Sequence, residues 1–399
     1  MLNAIRQIGD QLSRGWQGQG PVDGIRAVGA ASKPLLRDGW ADLLARVGAT
    51  SPSRFARGAL TIITFHRVLP ADKLRQYPLH GLALTPEQLE LVLSELEPHF
   101  ECSSVIEAYR HWKGNGAPLS RSGSRKASRS AAAGRPPLGI SFDDGALDNY
   151  EYARPVLEKL SLRATFFVPV AHVAQAQSPW HDRLAFALLR AVAAVRKPGS
   201  VDFDRLLAPF GLSVSSFAAI LPDDALRLAQ QGVAAAKPLS PDRRHEAIEA
   251  LEKAIGGDQV PDFARVMSWD QVRELARAGH EIGSHSLSHS LLAELPDARV
   301  REEVEASRRQ LSDALGAPVR SFCYPGGSYD ARVTAAVRSA GYECAVTTQW
   351  GINRKQSALE LARCDMDFAR LRSRHGEFSK QRLWLRLSGL QPGLADKVR

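Results

Sequence analysis

Two carboxylates stand side by side at Asp143 and Asp144, directly after an apolar run and directly before Gly145, in the string Ser-Phe-Asp-Asp-Gly from Ser141 to Gly145. A strand that stops abruptly on charge delivers that charge to the carboxyl end of a barrel, where loops assemble active sites. Adjacent side chains leave the backbone in different directions, so one carboxylate can bind a cation while its neighbour accepts a proton. The same Asp-Asp-Gly string also makes a good turn. A second set lies in Gly-His-Glu-Ile-Gly-Ser-His-Ser-Leu-Ser-His, Gly279 to His289, where His285 and His289 are four residues apart. On one helical turn that interval puts both imidazoles on one face, the spacing of zinc-binding helices, so a helical turn is expected here. Two imidazoles and one carboxylate make a facial set with open positions, as a catalytic metal needs.

Two further elements could complete such a site. Cys-Tyr-Pro-Gly-Gly, Cys323 to Gly327, reads as a strand followed by a Gly-rich turn, in which Tyr324, Pro325, Gly326 and Gly327 would bring backbone amides close to a ligand and steady an oxyanion. His66 ends an apolar run in Phe-His-Arg-Val and could serve as a general acid; a core histidine is the alternative. Cys323 as a nucleophile is a third chemistry, disfavoured because the sequence sets no histidine base beside it.

The elements that must position these groups alternate between strand and helix. Leu60 to His66, Leu-Gly-Ile-Ser-Phe and Arg-Ala-Thr-Phe-Phe-Val-Pro-Val read as strands, with helices over 86–97 and up to Leu160 between them. The pattern resumes with a helix over 270–278, a short strand, a helix over 296–315, then Ser-Phe-Cys-Tyr-Pro-Gly-Gly, another helix, and Glu-Cys-Ala-Val-Thr-Thr. Such alternation predicts a mostly parallel sheet or barrel wrapped by helices. The expected organisation is an N-terminal helical extension over 1–59, a barrel domain over 60–375 and a C-terminal amphipathic tail over 376–399. A helical insertion at about 172–265 shows helical periodicity and no convincing strand.

With 399 residues, 44% of them hydrophobic and 24% charged, the chain has ordinary globular statistics and is long enough for a sizeable core. Its apolar runs fall well short of the roughly 18 residues of a membrane span. The N-terminus lacks the apolar core of a secretory signal, so a cytoplasmic location is expected, and Cys102, Cys323, Cys344 and Cys364 are expected as reduced thiols. The net charge of +9 suits an anionic partner. A basic low-complexity loop at 112–137 lies in a stretch, Arg110 to Arg135, that holds seven Lys or Arg and no acid. A lone basic loop is weak support for nucleic acid, which is not an expected partner. Leu2, Ile5, Ile8, Leu12 and Trp16 form an apolar stripe, and Phe378 to Leu387 has a similar character; each could pack on the domain or touch an anionic membrane surface.

In this order, Ser-Phe-Asp-Asp-Gly, Ala-Thr-Phe-Phe-Val, Gly-His-Glu-Ile-Gly-Ser-His-Ser-Leu-Ser-His and Tyr-Pro-Gly-Gly resemble the polysaccharide deacetylases of carbohydrate esterase family 4, over about Leu60 to Val170 and Met267 to Cys364. The resemblance implies a distorted (β/α) barrel and metal-dependent removal of N-acetyl groups from the amino sugars of a glycan. It implies that Asp144, His285 and His289 bind a divalent metal, zinc first with cobalt, nickel or manganese compatible, and that Asp143 is the general base. The family's Arg-x-Pro-aromatic motif would fall on Cys323 to Gly326, so its arginine, which orients the base, is missing there; Arg363 is the speculative substitute. Ile-Thr-Phe-His-Arg-Val, Ile63 to Val68, is similar to the Tyr-His-x-Val strand of the exopolysaccharide deacetylase branch, which implies His66 as the acid. The substrate expected is an N-acetylhexosamine unit of a bacterial cell-surface polysaccharide or of its lipid-linked precursor at the cytoplasmic face of the membrane. The missing arginine leaves room for a glycan-binding protein that has lost turnover, and the enzyme reading also admits a small or lipid-linked acylamino sugar as target.

Overall fold

Thr-Ile-Ile-Thr-Phe strings β-branched and aromatic residues together, and strand β1 (Thr61–Phe65) is buried along its whole length. A strand covered on both sides belongs to a parallel sheet with helices outside. The structure, a computed structural model, describes residues 36–114, 134–195, 201–218, 222–257 and 260–391. Two short strands, β2 (Arg67–Val68) and β3 (Ala83–Leu84), pair with each other apart from the main sheet. The main sheet contains β1 with β4 (Glu101–Ser103), β5 (Pro137–Phe142), β6 (Thr165–Val168), β7 (Glu281–Ser284), β8 (Ser321–Cys323), β9 (Cys344–Trp350) and β10 (Leu361–Asp365), in the order β1-β10-β9-β8-β7-β6-β5-β4.

Every pairing in it is parallel, and β1 also pairs β5 from Thr61↔Leu138 to Phe65↔Phe142, which closes seven strands into a barrel. The other edge of β5 is shared: β4 takes Pro137 to Gly139, and β6 takes Ser141 and Phe142. Strand β4 therefore fills the splayed amino end between β5 and β6. The expected distorted (β/α) barrel is borne out.

The surrounding helices start and stop on local signals. Thr85 and Gln88 form a reciprocal cap on helix Pro86–Leu96, as Ser268 and Gln271 do on Trp269–Arg277. Helix Asp297–Leu315 ends at Gly316 in a left-handed conformation that glycine adopts without strain. Leu89, Val92, Leu93 and Leu96 bury one face of the first of these helices, each contributing about 1.5–3 kcal/mol relative to exposure.

Helices Trp180–Ala194, Phe203–Leu207, Val214–Ala218, Pro222–Ala236 and Pro241–Ala254 interrupt the barrel between β6 and β7 and close around a second apolar cluster that includes Leu184, Leu188, Phe210, Phe217, Val233 and Leu251. The segment Phe378 to Leu387 is not a free amphipathic surface. Its helix, Lys380–Leu387, buries Leu383 and Leu387 in the barrel core and Leu385 against Ala41 and Leu44 of the helical residues 36–46. The stripe from Leu2 to Trp16 and most of the basic loop, 115–133, lie outside the described residues. Among the described residues no helix is long and apolar enough to cross a membrane. Cys323, Cys344 and Cys364 are buried free thiols.

Candidate active site and metal centre

Residues at the carboxyl ends of the barrel strands converge. His66 follows β1, Asp143 and Asp144 follow β5, His285 follows β7, Tyr324 follows β8, and Arg363 reaches in from β10. Ladder geometry does the placing: Asp143 continues the β1–β5 pairing through its amide to Phe65 O (3.0 Å), and His285 continues β6–β7 through its amide to Val168 O (3.0 Å). Asp144 then turns away, its backbone in the left-handed region at φ 70°. A non-glycine residue there is strained by about 1–3 kcal/mol, and such strain persists at functional sites because the surroundings impose it.

The two carboxylates meet different partners. Asp144 Oδ1 lies 3.4 Å from His285 Nε2 and 3.2 Å from His289 Nε2. The Nδ1 of His285 is 2.8 Å from the Cys323 carbonyl, which requires that nitrogen to donate and leaves Nε2 for the site. Asp143 instead receives a bidentate pair from Arg363, Nη1 to Oδ1 at 2.8 Å and Nη2 to Oδ2 at 2.7 Å. Arg363 is itself fully engaged, with Nε on Thr347 O, and Nη1 also on Thr64 Oγ1 and Ser141 Oγ. The guanidinium absent at Cys323 thus arrives from another strand. His66 Nε2 stands 3.9 Å from Asp143 Oδ2 on the more open side.

Electrostatics follow the partners. Burial pushes the Asp143 carboxyl up, but the charge and hydrogen bonds of Arg363 outweigh it and hold the group below the usual carboxylate range. Burial is likewise overcome at Asp144 by the His285 and His289 imidazoles, which keep it well below its ordinary value. His285 is raised despite burial, by the Cys323 and Asp144 sides of its ring, whereas burial wins at His289 and lowers it. With both rings neutral, two imidazole nitrogens and a carboxylate oxygen would face a divalent cation. The donor set fits such an ion: Asp144, His285 and His289 bring their ligand atoms within 4.8 Å of one another.

The expected helical turn at His285 to His289 is corrected. These residues form a loop, and Ser286 and His289 have φ of 63° and 59°, which no right-handed helix contains. Glu303, wholly buried in the helix behind, shapes the loop by accepting from the amides of Leu287 (3.0 Å) and Ser288 (2.8 Å) and from the Ser288 hydroxyl.

The turn after β8 also narrows. Tyr324 N is used on Val346 O (3.2 Å), Gly327 N on Tyr324 O (2.9 Å), and Pro325 has no N–H, so none of these three offers a free amide to an oxyanion. The Tyr324 ring is core, with its hydroxyl on Leu359 O at 2.9 Å. A side chain at Gly327 would collide with Thr348, the nearest atom 1.9 Å from a Cβ. Cys323 is buried, its thiol raised by burial, 3.6 Å from Asp143 Oδ2 and 3.3 Å from Arg363 Nη2. The thiol thus lies between the Asp143 carboxylate and the His285 ring, whose Nδ1 also meets the Cys323 carbonyl.

Three residues near Asp144, His285 and His289 escaped the sequence reading. His172 lies with its ring 5.9 Å from that of His289, and burial lowers its pKa to about 3. His181, from the insertion, has Nε2 3.8 Å from Asp144 Oδ2. Glu303 is the third. His172 and His181 carry no diagnostic spacing; Glu303 was the legible one, a carboxylate on the same helical face as Val300, Val304 and Leu311.

Residues 245–345 match the family model described as polysaccharide deacetylase. A curated relative, the uncharacterized protein YlxY of Bacillus subtilis (strain 168), is 32% identical over 57 residues, which are 14% of this chain and 18% of that protein. Among solved structures, Streptococcus pyogenes deacetylase PplD in complex with acetate is similar at 16% identity and a TM-score of 0.47, covering 77% of this chain and 92% of that one. IcaB from Ammonifex degensii gives 16% and 0.46, covering 84% and 97%. The match to the family model shows the resemblance read from the motifs over the segment that carries His285, His289 and the turn from Tyr324 to Gly327.

Proposed function

We propose that this protein is a metal-dependent hydrolase that removes N-acetyl groups from N-acetylhexosamine residues of a bacterial cell-surface polysaccharide or its lipid-linked precursor. The observation that carries the reading is the division of labour between the adjacent carboxylates, Asp143 clamped by Arg363 and Asp144 facing two imidazole nitrogens. The family match over residues 245–345 supports it.

Asp144, His285 and His289 would hold a divalent cation, which would supply Lewis-acid charge for the acetamide carbonyl and the attacking water. Asp143, kept ionised by Arg363, is in place to take that water's proton. The bidentate clamp also fixes the carboxylate plane, with Asp143 Oδ2 3.9 Å from His66 Nε2. His66, with 26% of its side chain exposed, stands beside Asp143 where a leaving amine can collect a proton. The Gly326 amide supports the developing oxyanion as it forms.

Zinc is the cation we favour, since imidazole and carboxylate accept it without demanding a fixed geometry, while cobalt, nickel and manganese suit the same set. The charge of +9 supports a location at the cytoplasmic face of the membrane, close to a lipid-linked precursor. Flotation of the purified protein with phosphatidylglycerol vesicles, lost at raised salt, is the expected result for that location; no flotation at low salt contradicts it.

The activity is tested by acetate release from N-acetylglucosamine oligomers after chelation and reloading with zinc or cobalt, with His285→Ala alongside. Release restored by metal in the wild type and absent in the variant is expected. Release that survives chelation overturns the metal-dependent reading.

A further inference from the structure

The helical insertion does more than border the barrel, because its first turn is fastened to the site through a buried charged cluster. Arg67, the residue after His66, has Nε 2.6 Å from Asp148 Oδ2 and Nη1 2.9 Å from Asp182 Oδ2, and its Nη2 donates to Phe263 O at 2.9 Å. The Tyr77 hydroxyl donates to the other oxygen of Asp182 at 2.7 Å, and the next residue, Arg183, donates through Nε to Glu252 at 2.9 Å. Asp182 and Arg183 are nearly inaccessible, so the backbone of helix Trp180–Ala194 is fixed at its start.

Held at that start is His181, whose side chain is 13% exposed. Its Nε2 is 3.8 Å from Asp144 Oδ2, and its ring lies 6.3 Å from that of His289. Trp180 meets the His181 ring edge-on at 5.8 Å and is backed in turn by Arg244, 4.4 Å from the indole centre. Asp144 therefore has imidazole nitrogens on both its oxygens: His285 and His289 on Oδ1, His181 on Oδ2. Asp182 Oδ1 is the other acidic oxygen near His181 Nε2, at 3.9 Å, and it already holds the Tyr77 hydroxyl.

Resting on the metal-site reading above, we infer that His181 is a positioning residue of the metal centre, supplied by the insertion: it faces the outer oxygen of Asp144 and keeps the inner oxygen turned toward His285 and His289. A ligating carboxylate with an outer partner is a better ligand than one free to rotate, and losing such a partner typically weakens metal binding about 10- to 100-fold. On this assignment the insertion tunes the metal affinity as well as bordering the cleft.

The test is zinc affinity of the full-length apo-protein by competition with a chromophoric chelator, together with the visible spectrum of the cobalt form. His181→Ala, His181→Gln and His289→Ala are compared with wild type, and the melting of each apo-protein is followed. Expected are loss of binding in His289→Ala, a 10- to 100-fold weaker affinity and an altered cobalt spectrum in His181→Ala, and partial recovery in His181→Gln, which retains an N–H donor. Should His181→Ala melt early, His181→Gln carries the comparison, and its affinity must fall between those of wild type and His289→Ala. Zinc affinity within twofold of wild type and an unchanged cobalt spectrum in His181→Ala, with His289→Ala still defective, overturn this assignment alone. A wild type that takes up no metal overturns both it and the metal-dependent function.

Discussion

Asp143 and Asp144 share a peptide bond and little else. The left-handed turn of Asp144 sends its side chain to the imidazoles, while Asp143 stays in register with β1 and meets Arg363. The adjacency was legible in the sequence, and so were the strand ends that carry His66 and His285. The backbone flip was not, because an aspartate at positive φ looks like any other aspartate. Arg363 was reachable only as a substitute for a missing arginine, since nothing local marks a buried guanidinium. Its role is specific: Arg363→Lys keeps a positive charge but loses the fork that grips both oxygens. We expect kcat to fall on the order of a hundredfold with KM little changed, as measured by acetate release; a large rise in KM alone would assign Arg363 to substrate binding instead. Cys323→Ser should keep turnover within about tenfold of wild type and stay insensitive to alkylation, because the proposed mechanism gives the buried thiol beside Asp143 no bond to form. Complete loss in that variant would return the thiol to the mechanism.

At the scale of elements, the strands with continuous apolar residues were readable and two others were not. Strand β10 carries Arg363 and ends on Asp365, a pattern with charge where a core strand has none, and it enters the barrel because the Arg363 guanidinium finds polar partners there, the Thr64 and Ser141 hydroxyls and the Thr347 carbonyl. Strand β4 is three residues long and has no periodicity to show. The His-x-x-x-His spacing suggested a helix, whereas a loop cinched by Glu303 brings the rings to 4.7 Å. Glu303→Ala frees the Leu287 and Ser288 amides, so zinc affinity should drop at least tenfold in a chelator competition; affinity equal to wild type would separate the loop from the metal centre. The entry to β7 carries a pH dependence of its own. His280 Nδ1 accepts the Ala164 amide at 3.3 Å, and burial lowers its pKa to about 4. The unfolded chain binds that proton from about pH 6.5 downward and the folded one does not, so stability is lost as pH falls from 6.5 to 4, by on the order of 3 kcal/mol. Urea unfolding of His280→Gln across that window should show a flatter profile, and an unchanged slope would contradict this.

The described residues form a closed barrel with a helical insertion, which a buried charged cluster fastens beside the candidate site. Closure was implied by strand and helix alternation, but the pairing of β1 with β5 and the wedge of β4 depend on long-range packing that no local pattern encodes. The fastening was equally hidden: Arg67, Asp148 and Asp182 are far apart in sequence and ordinary in type, yet each is almost wholly buried. Arg67→Ala strands two buried carboxylates, and the expected cost is about 3–5 kcal/mol, read as a lowered midpoint in thermal or urea unfolding. A variant as stable as wild type would mean that the insertion is held elsewhere. The central claim is that Asp143 acts on the proton while Asp144 and the two histidines hold the cation. Its most direct test is Asp143→Asn, assayed for zinc stoichiometry and acetate release on the same preparation. The account predicts one equivalent of zinc retained with release reduced by at least a thousandfold. Full release with zinc in place would contradict it.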